Sequence, residues 1–173
     1  MYIKFNVDYI LLESFMLIPL LIGCATVVVT MVIQVAAIVQ MLQYLLSVVR
    51  RTEAGPISPG RTTYVIFMIM TMLFIGHIAQ AAVWAFLFML LGEFGDFAAA
   101  FYHSLVNLAS LGYGDIVMSE QWRLLGAFEA SAGVLLFGLS AGTILSIMSY
   151  ILSHDSRFKT RLAELRDQAL RND

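Results

Sequence analysis

Long stretches without a charged residue set the pattern of this chain. No Asp, Glu, Lys or Arg occurs from Ser14 to Val49, none from Thr62 to Gly92, and only Glu129 from Leu124 to His154. Each stretch exceeds the roughly 20 residues that cross a hydrocarbon core as a helix. Three membrane-spanning helices are therefore predicted. The first stretch has 36 residues and would measure ~54 Å as one helix at 1.5 Å per residue. That length predicts a single long helix running to Arg51, entered through an interfacial segment that takes in residues 1–13. Pro19 and Gly23 are its predicted kink points. "RRTEAGPISPGR" then reads as a turn, because two prolines and two glycines interrupt the helix.

A fourth apolar segment is too short to span. "DFAAAFYHSLVNLAS", Asp96 to Ser110, suits a helix with Asp96 as N-cap. At about 14 residues it suits a re-entrant piece. It must begin and end on one side, because both flanking spans have that end there. "SLGYGD", Ser110 to Asp115, follows directly, and no formal charge occurs from Phe97 to Gly114. Non-helical backbone at membrane depth is tolerated only where protein buries it or where it lines a polar cavity. In a cavity the carbonyls of such a strand can act as ligands. For them to face one way, alternate residues must leave ordinary extended geometry, which glycine does cheaply. Gly112 and Gly114 have that spacing, and Tyr113 between them can brace outward.

Composition agrees with a membrane protein: 60% of residues are hydrophobic and 13% charged, against about a quarter charged in soluble domains. Arg50, Arg51 and Arg61 flank the first turn, and Arg157, Lys159, Arg161, Arg166 and Arg171 fill the tail. The other two connections are mainly acidic, with Glu93, Asp96, Asp115 and Glu120 against Arg123. The positive-inside rule puts the first turn and the tail in the cytoplasm and the N-terminus outside. A net charge of −2 gives no basis for a nucleic-acid partner. The lone Cys24 excludes an intrachain disulfide. Lys4 is followed by Asp8 and Glu13, so the N-terminus is no clean signal peptide and is expected to stay on the mature chain. The three histidines are widely separated and no nucleophile–base set occurs, so neither an enzyme nor a cofactor is expected.

"SLGYGD" resembles the selectivity filter of potassium channels, usually Thr-Val/Leu-Gly-Tyr-Gly-Asp. The similarity covers about 50 residues, Asp96 to Leu145, and includes "WRLLGAFEASAGVLLFGLSAGTIL". Arg123, Gly133 and Phe137-Gly138-Leu139 are spaced as in the inner helices of two-span channels. Arg123-Leu124-Leu125 with Glu129 resembles a bacterial subset of small channels. Residues 1–50 carry nothing diagnostic. The resemblance implies an all-α membrane protein with three transmembrane helices, a re-entrant pore helix and a selectivity-filter strand. One strand cannot surround an ion, so it implies a C4 homotetramer with three further copies. Carbonyls of Ser110, Leu111, Gly112 and Tyr113, with Gly114 and the Ser110 hydroxyl, would then take potassium ions, the permeant ligand. Asp115 would form a ring at the outer mouth, with Tyr102 and Glu129 as filter support.

The organisation expected is an interfacial segment and first helix over 1–51, a cytoplasmic turn over 52–61, a pore domain over 62–153 and a cytoplasmic helix over 154–173. The expected location is a prokaryotic plasma membrane, with lipids as further partners. The expected activity is passive, potassium-selective conduction. Ala109 and Ser110 stand where Thr-Thr is usual, which leaves a non-selective monovalent cation channel open. A non-conducting scaffold or regulatory subunit is the third reading. The sequence names no gating stimulus.

Several residues carry two readings each. Glu129 is a brace, bonded to Ser131 or to the back of the re-entrant helix, or a gating or pH-sensing group. His77, one turn from Gln80, makes an interhelical hydrogen bond or senses protons. His103 fits either role. Gly133 and Gly138 are hinge candidates, and Gly138 with Gly142 also forms a GxxxG packing pair. Trp84 reads as an interfacial anchor. Val106 stands where some family members carry a carboxylate, so Asp115 is expected to accept from Tyr102 instead. Phe158, Leu162, Leu165 and Ala169 give the tail helix an apolar face, for the inner leaflet or for a tetrameric bundle.

Overall fold

In a computed structural model the elements among the described residues are the helices α1 (Tyr2–Arg50), α2 (Pro59–Leu90), α3 (Phe97–Leu108) and α4 (Arg123–His154). The structure describes residues 2–50 and 59–154 and, in the tail, Glu164, Gln168, Leu170 and Arg171. Most of the expected turn over 52–61 and of the tail helix over 154–173 lies outside the described residues. Pro59, Gly60 and Arg61 open α2, as proline does readily in a first turn. Residues 2–13, expected as an interfacial entry, belong to α1, which continues unbroken past Pro19.

Stretches of α1, α2 and α4 over Met16–Val48, Gly60–Leu90 and Arg123–Tyr150 are long and apolar enough to cross a membrane. The chain is an integral membrane protein. No strand occurs among the described residues. The expected filter strand is an irregular segment over 111–114, because a single extended run has no neighbour here to pair with.

The chain divides into two compact units, Met1–Ala36 with Phe74–Gly138, and Ala37–Leu73 with Leu139–Asp173. The second unit has its own apolar core. Met41 and Leu45 of α1 pack with Val65, Ile69 and Leu73 of α2 and Ile147 of α4. The four-residue steps along α2 put its three on one face.

The first unit contains the pore-loop region. Trp84 and Phe88 of α2 and Leu125 of α4 are fully buried, with Ile22, Phe94, Trp122 and Phe128 packed against them. Trp84 is thus a core residue and not an interfacial anchor. Its Nε1 has no hydrogen-bond partner. The α1 part presents a narrow buried stripe, Gly23, Thr26, Thr30 and Gln34, with apolar side chains such as Leu21, Val28 and Val32 exposed on the other faces. Small and polar residues let membrane helices approach closely. A methyl group at Gly23 would come within 2.8 Å of the Phe128 ring, so Gly23 is a packing glycine and not a free kink point. The Thr26 and Thr30 hydroxyls donate to carbonyls of their own helix, Ile22 and Val27.

Gln34 makes a polar bond from α1 to α2. Gln80 Nε2–H donates to Gln34 Oε1 at 2.6 Å, and His77 Nδ1–H donates to Gln80 Oε1 at 3.2 Å. The His77 ring stacks on Phe137 of α4, with centroids 4.2 Å apart. His77 therefore takes part in an interhelical network. Replacing Gln34 by Leu leaves the buried Gln80 amide short of an acceptor. The loss expected in the unfolding free energy of the purified protein is about 0.6–2 kcal/mol. The double change Gln34→Leu with Gln80→Leu should cost less than the sum of the two singles. Additive losses would mean that the two amides do not act together.

Candidate functional site

α3 is short and capped at both ends. Asp96 lies in extended geometry and its side chain accepts from the Ala99 N–H at 3.0 Å, satisfying an amide that the first turn leaves open. At the other end the Ser110 N–H donates to Asn107 O at 2.8 Å and the Leu111 N–H to Val106 O at 2.9 Å. Ser110 itself has φ +56°. These two bonds and the left-handed residue make a Schellman closure, a position normally taken by glycine. For serine the left-handed backbone costs about 1–2 kcal/mol.

Beyond the closure the backbone alternates. Ser110, Gly112 and Gly114 have φ of +56°, +57° and +71°, while Leu111 and Tyr113 between them are not left-handed. Nothing lies within 4 Å of where a Cβ would sit on Gly112 or Gly114. Glycine is therefore demanded there by the dihedral angle and not by lack of room. Leu111 and Tyr113 are 54% and 65% exposed, a large apolar surface on an irregular segment of a membrane protein.

Three ties hold the loop that follows. Tyr102 Oη–H donates to Asp115 Oδ2 at 2.7 Å. His103 Nδ1–H donates to Ile116 O at 3.1 Å. Glu93 accepts from both the Ser119 N–H and the Ser119 hydroxyl, each at 2.7 Å. The Ser119 carbonyl in turn receives the Trp122 and Arg123 N–H groups at the start of α4. The hydrogen bond from Tyr102 holds the Asp115 carboxyl below the usual carboxylate range and pushes the Tyr102 phenol up. The depressed carboxyl keeps its charge, and its share of this tie, until the pH falls through that lowered value.

α4 supports α3 with one face, Gly126, Glu129 and Gly133, at three- and four-residue steps. A methyl group on Gly133 would overlap the Leu108 carbonyl, and one on Gly126 would meet the Met118 methyl at 3.0 Å and the Asn107 amide at 3.2 Å. The hinge candidate Gly133 thus admits the last turn of α3. The other candidate, Gly138, has nothing within 4 Å, and the same holds for Gly142. Glu129 is fully buried between the two packing glycines, beside Ser104 and Asn107 of α3. Neither Glu129 oxygen nor the Ser104 hydroxyl reaches hydrogen-bond geometry with a partner. Ser131, one of its expected partners, donates to Ala127 O of its own helix. The sequence offered His103 two roles, a hydrogen bond or a proton sensor, without choosing between them, and gave Glu93 no site role. Their signal was present as polar residues in otherwise apolar surroundings, but only the fold brings the loop carbonyl and Ser119 to them.

Among the described residues no group of three or more His, Cys, Asp or Glu side chains is placed to hold a metal ion. Residues 72–150 match a family model described as "Ion channel". The match runs from α2 through α3 and the loop into α4 and leaves α1 outside. No curated protein and no solved structure matches the chain. The family match and the three apolar helices together support a general ion-channel function.

Two outcomes follow. Gly133→Ala should lower the stability of the purified protein by about 1–3 kcal/mol through overpacking. Gly138→Ala, in open space, should be neutral or stabilising by up to about 1 kcal/mol. Thermal melting in detergent compares them, and equal melting points would refute the close α3–α4 approach. Tyr102→Phe should return the Asp115 carboxyl toward the ordinary value near 3.9. Side-chain carboxyl NMR titration reads this as an upward shift, and an unmoved Asp115 would exclude the Tyr102 bond as the cause.

Proposed function

We propose that four copies of this chain form a potassium-selective pore, with one Ser110–Gly114 segment from each lining its narrowest part. The observation that carries this reading is the alternation of backbone handedness at Ser110, Gly112 and Gly114. In an ordinary extended chain successive carbonyls point to opposite sides. Left-handed turns at every second residue let them turn to one side, toward a shared axis. Carbonyls of Ser110, Leu111, Gly112 and Tyr113 then replace water around a dehydrated monovalent cation. A ring of four is needed, because one segment leaves most of the ion bare.

The exposed surfaces of Leu111 and Tyr113 support the same assembly. A single copy leaves them uncovered, and neighbouring copies would cover them. Asp115, charged through its bond with Tyr102, would concentrate cations at the outer mouth. The C-terminal end of α3 carries partial negative charge that favours a cation in the inner cavity. In this arrangement the acidic loops face outward, α3 re-enters from that side, the N-terminus lies outside, and the Arg-rich turn and tail are cytoplasmic. A prokaryotic plasma membrane is the location that fits the resemblance to small bacterial channels.

Ser110 favours one variation on this reading. It keeps a hydroxyl ligand but lacks the methyl group that restricts a threonine rotamer, and its hydroxyl donates to Ala130 O at a long 3.5 Å. An innermost site of this kind holds ions less tightly, and a non-selective pore would follow if that site set selectivity.

Purified protein in lipid vesicles, with opposed potassium and sodium gradients, decides among these readings. The proposal expects a reversal potential near the potassium equilibrium value. A reversal potential insensitive to the choice of cation supports the non-selective pore. A folded protein carrying no current would refute conduction. Gly112→Ala imposes about 1–2 kcal/mol of backbone strain in each copy, without a steric clash in the single chain. It should lower potassium flux at least about tenfold while the particle stays assembled; unchanged flux would remove Gly112 from the filter.

A further inference from the structure

His103 sits at the junction of three elements, and its surroundings dictate where its proton lies. Its ring is 6% exposed and lies against Phe88 of α2 and Phe94 of the α2–α3 connection, with centroids 5.6 and 5.0 Å away. A carbonyl oxygen only accepts, so Nδ1, 3.1 Å from Ile116 O, carries the hydrogen. In the neutral ring Nε2 then offers a lone pair. Asn107 Nδ2 lies 2.9 Å from it and donates. The same amide lies beside the buried Glu129 carboxyl, whose oxygens lack partners. A line of polar groups thus runs from the loop after residue 115, through α3, to α4.

We propose that His103 and Asn107 are a positioning pair for the filter: the Nδ1–H tautomer orients the Asn107 amide toward Glu129, and a proton on Nε2 turns that amide over. This deepens the pore reading and rests on it. The chemistry is a matter of donors and acceptors. A protonated Nε2–H faces the Asn107 N–H groups, and two donors repel. Rotation of the amide puts its oxygen on the ring. The oxygen and nitrogen also exchange places on the side of Glu129 and Ser104, directly beneath the last turn of α3. The support of the filter changes with them, and potassium current is expected to fall.

The charged groups around the ring are few. Glu93 faces it from the α2–α3 connection and Asp115 from the loop, and both favour the charged ring. Glu120 and Arg123 share with it an open cleft of about 480 Å³, which gives protons a route. From α2 the neighbour is the uncharged Phe88, and from α4 Glu129 is reached only through Asn107. Burial outweighs the two carboxylates and the Ile116 bond and pushes the imidazole below its ordinary value. The ring therefore keeps its neutral arrangement down to a more acid pH than a free imidazole would.

Two measurements test the pair. Nitrogen-15 spectra of the histidine side chains in the purified protein, assigned with His103→Gln, should show hydrogen on Nδ1 and a bare Nε2 at neutral pH. The opposite tautomer would overturn the proposal. In vesicles, potassium current should fall at least roughly threefold as the external pH is lowered from about 8 to below the depressed His103 value. His103→Gln keeps a donor for Ile116 and an acceptor for Asn107 but does not titrate, so its current should lose that step. Asn107→Asp offers Nε2–H an acceptor and should raise the midpoint by about 1–3 units. A step that persists unchanged in His103→Gln would refute the pair. Absence of current in the unsubstituted protein at every pH would instead sink the pore reading, and the spectra would still decide the tautomer.

Discussion

Every peptide group inside a membrane must find a partner, and residues 110–114 leave the helix between two segments apolar enough to cross one. That constraint organises the first compact unit. α3 ends in a closed cap in which Ser110 and Leu111 return their N–H groups to the helix, so few amides are left open. Among the described residues no strand pairs with the carbonyls that follow. On the proposed pore reading, cations take the place of those missing partners.

The rest of the unit keeps this segment in place. The face of α4 made by Gly126, Glu129 and Gly133 brings the end of α3 into close contact, and large side chains there would push it away. The loop beyond is tied at Asp115, Ile116 and Ser119 by three different side chains. The ties at Asp115 and Ile116 are single hydrogen bonds, and the one at Ser119 is a pair to the Glu93 carboxylate. Met118 packs against the apolar core, and hydrogen bonds set the loop on either side of it, which makes its geometry responsive to donors, acceptors and protons.

Much of this was legible in the sequence. Uncharged runs give the three apolar helices, because a lipid environment tolerates few charges. The Asp96 cap and the short α3 follow from local rules that need no tertiary context. The pairing of Tyr102 with Asp115 follows from a missing carboxylate at Val106. Other features were hidden. Trp84 carries the same sequence signal as an interfacial anchor and a core residue, and only packing separates them. Glu129 was given Ser131 as one partner, but residues two apart on a helix do not face each other. The left-handed serine at 110 breaks the glycine preference for that cap, so no local rule announces it. Gly133 looked like a flexible point because a glycine in a helix gives no sign of what lies across from it.

The central claim is that four Ser110–Gly114 segments converge on one axis with their carbonyls inward. A single-particle reconstruction of the protein in lipid discs with potassium tests this most directly. The account predicts a four-fold particle with ion density on the axis, between stacked rings formed by the oxygens of Ser110 to Tyr113. A particle of one copy, or an assembly in which residues 110–114 face lipid, would contradict it.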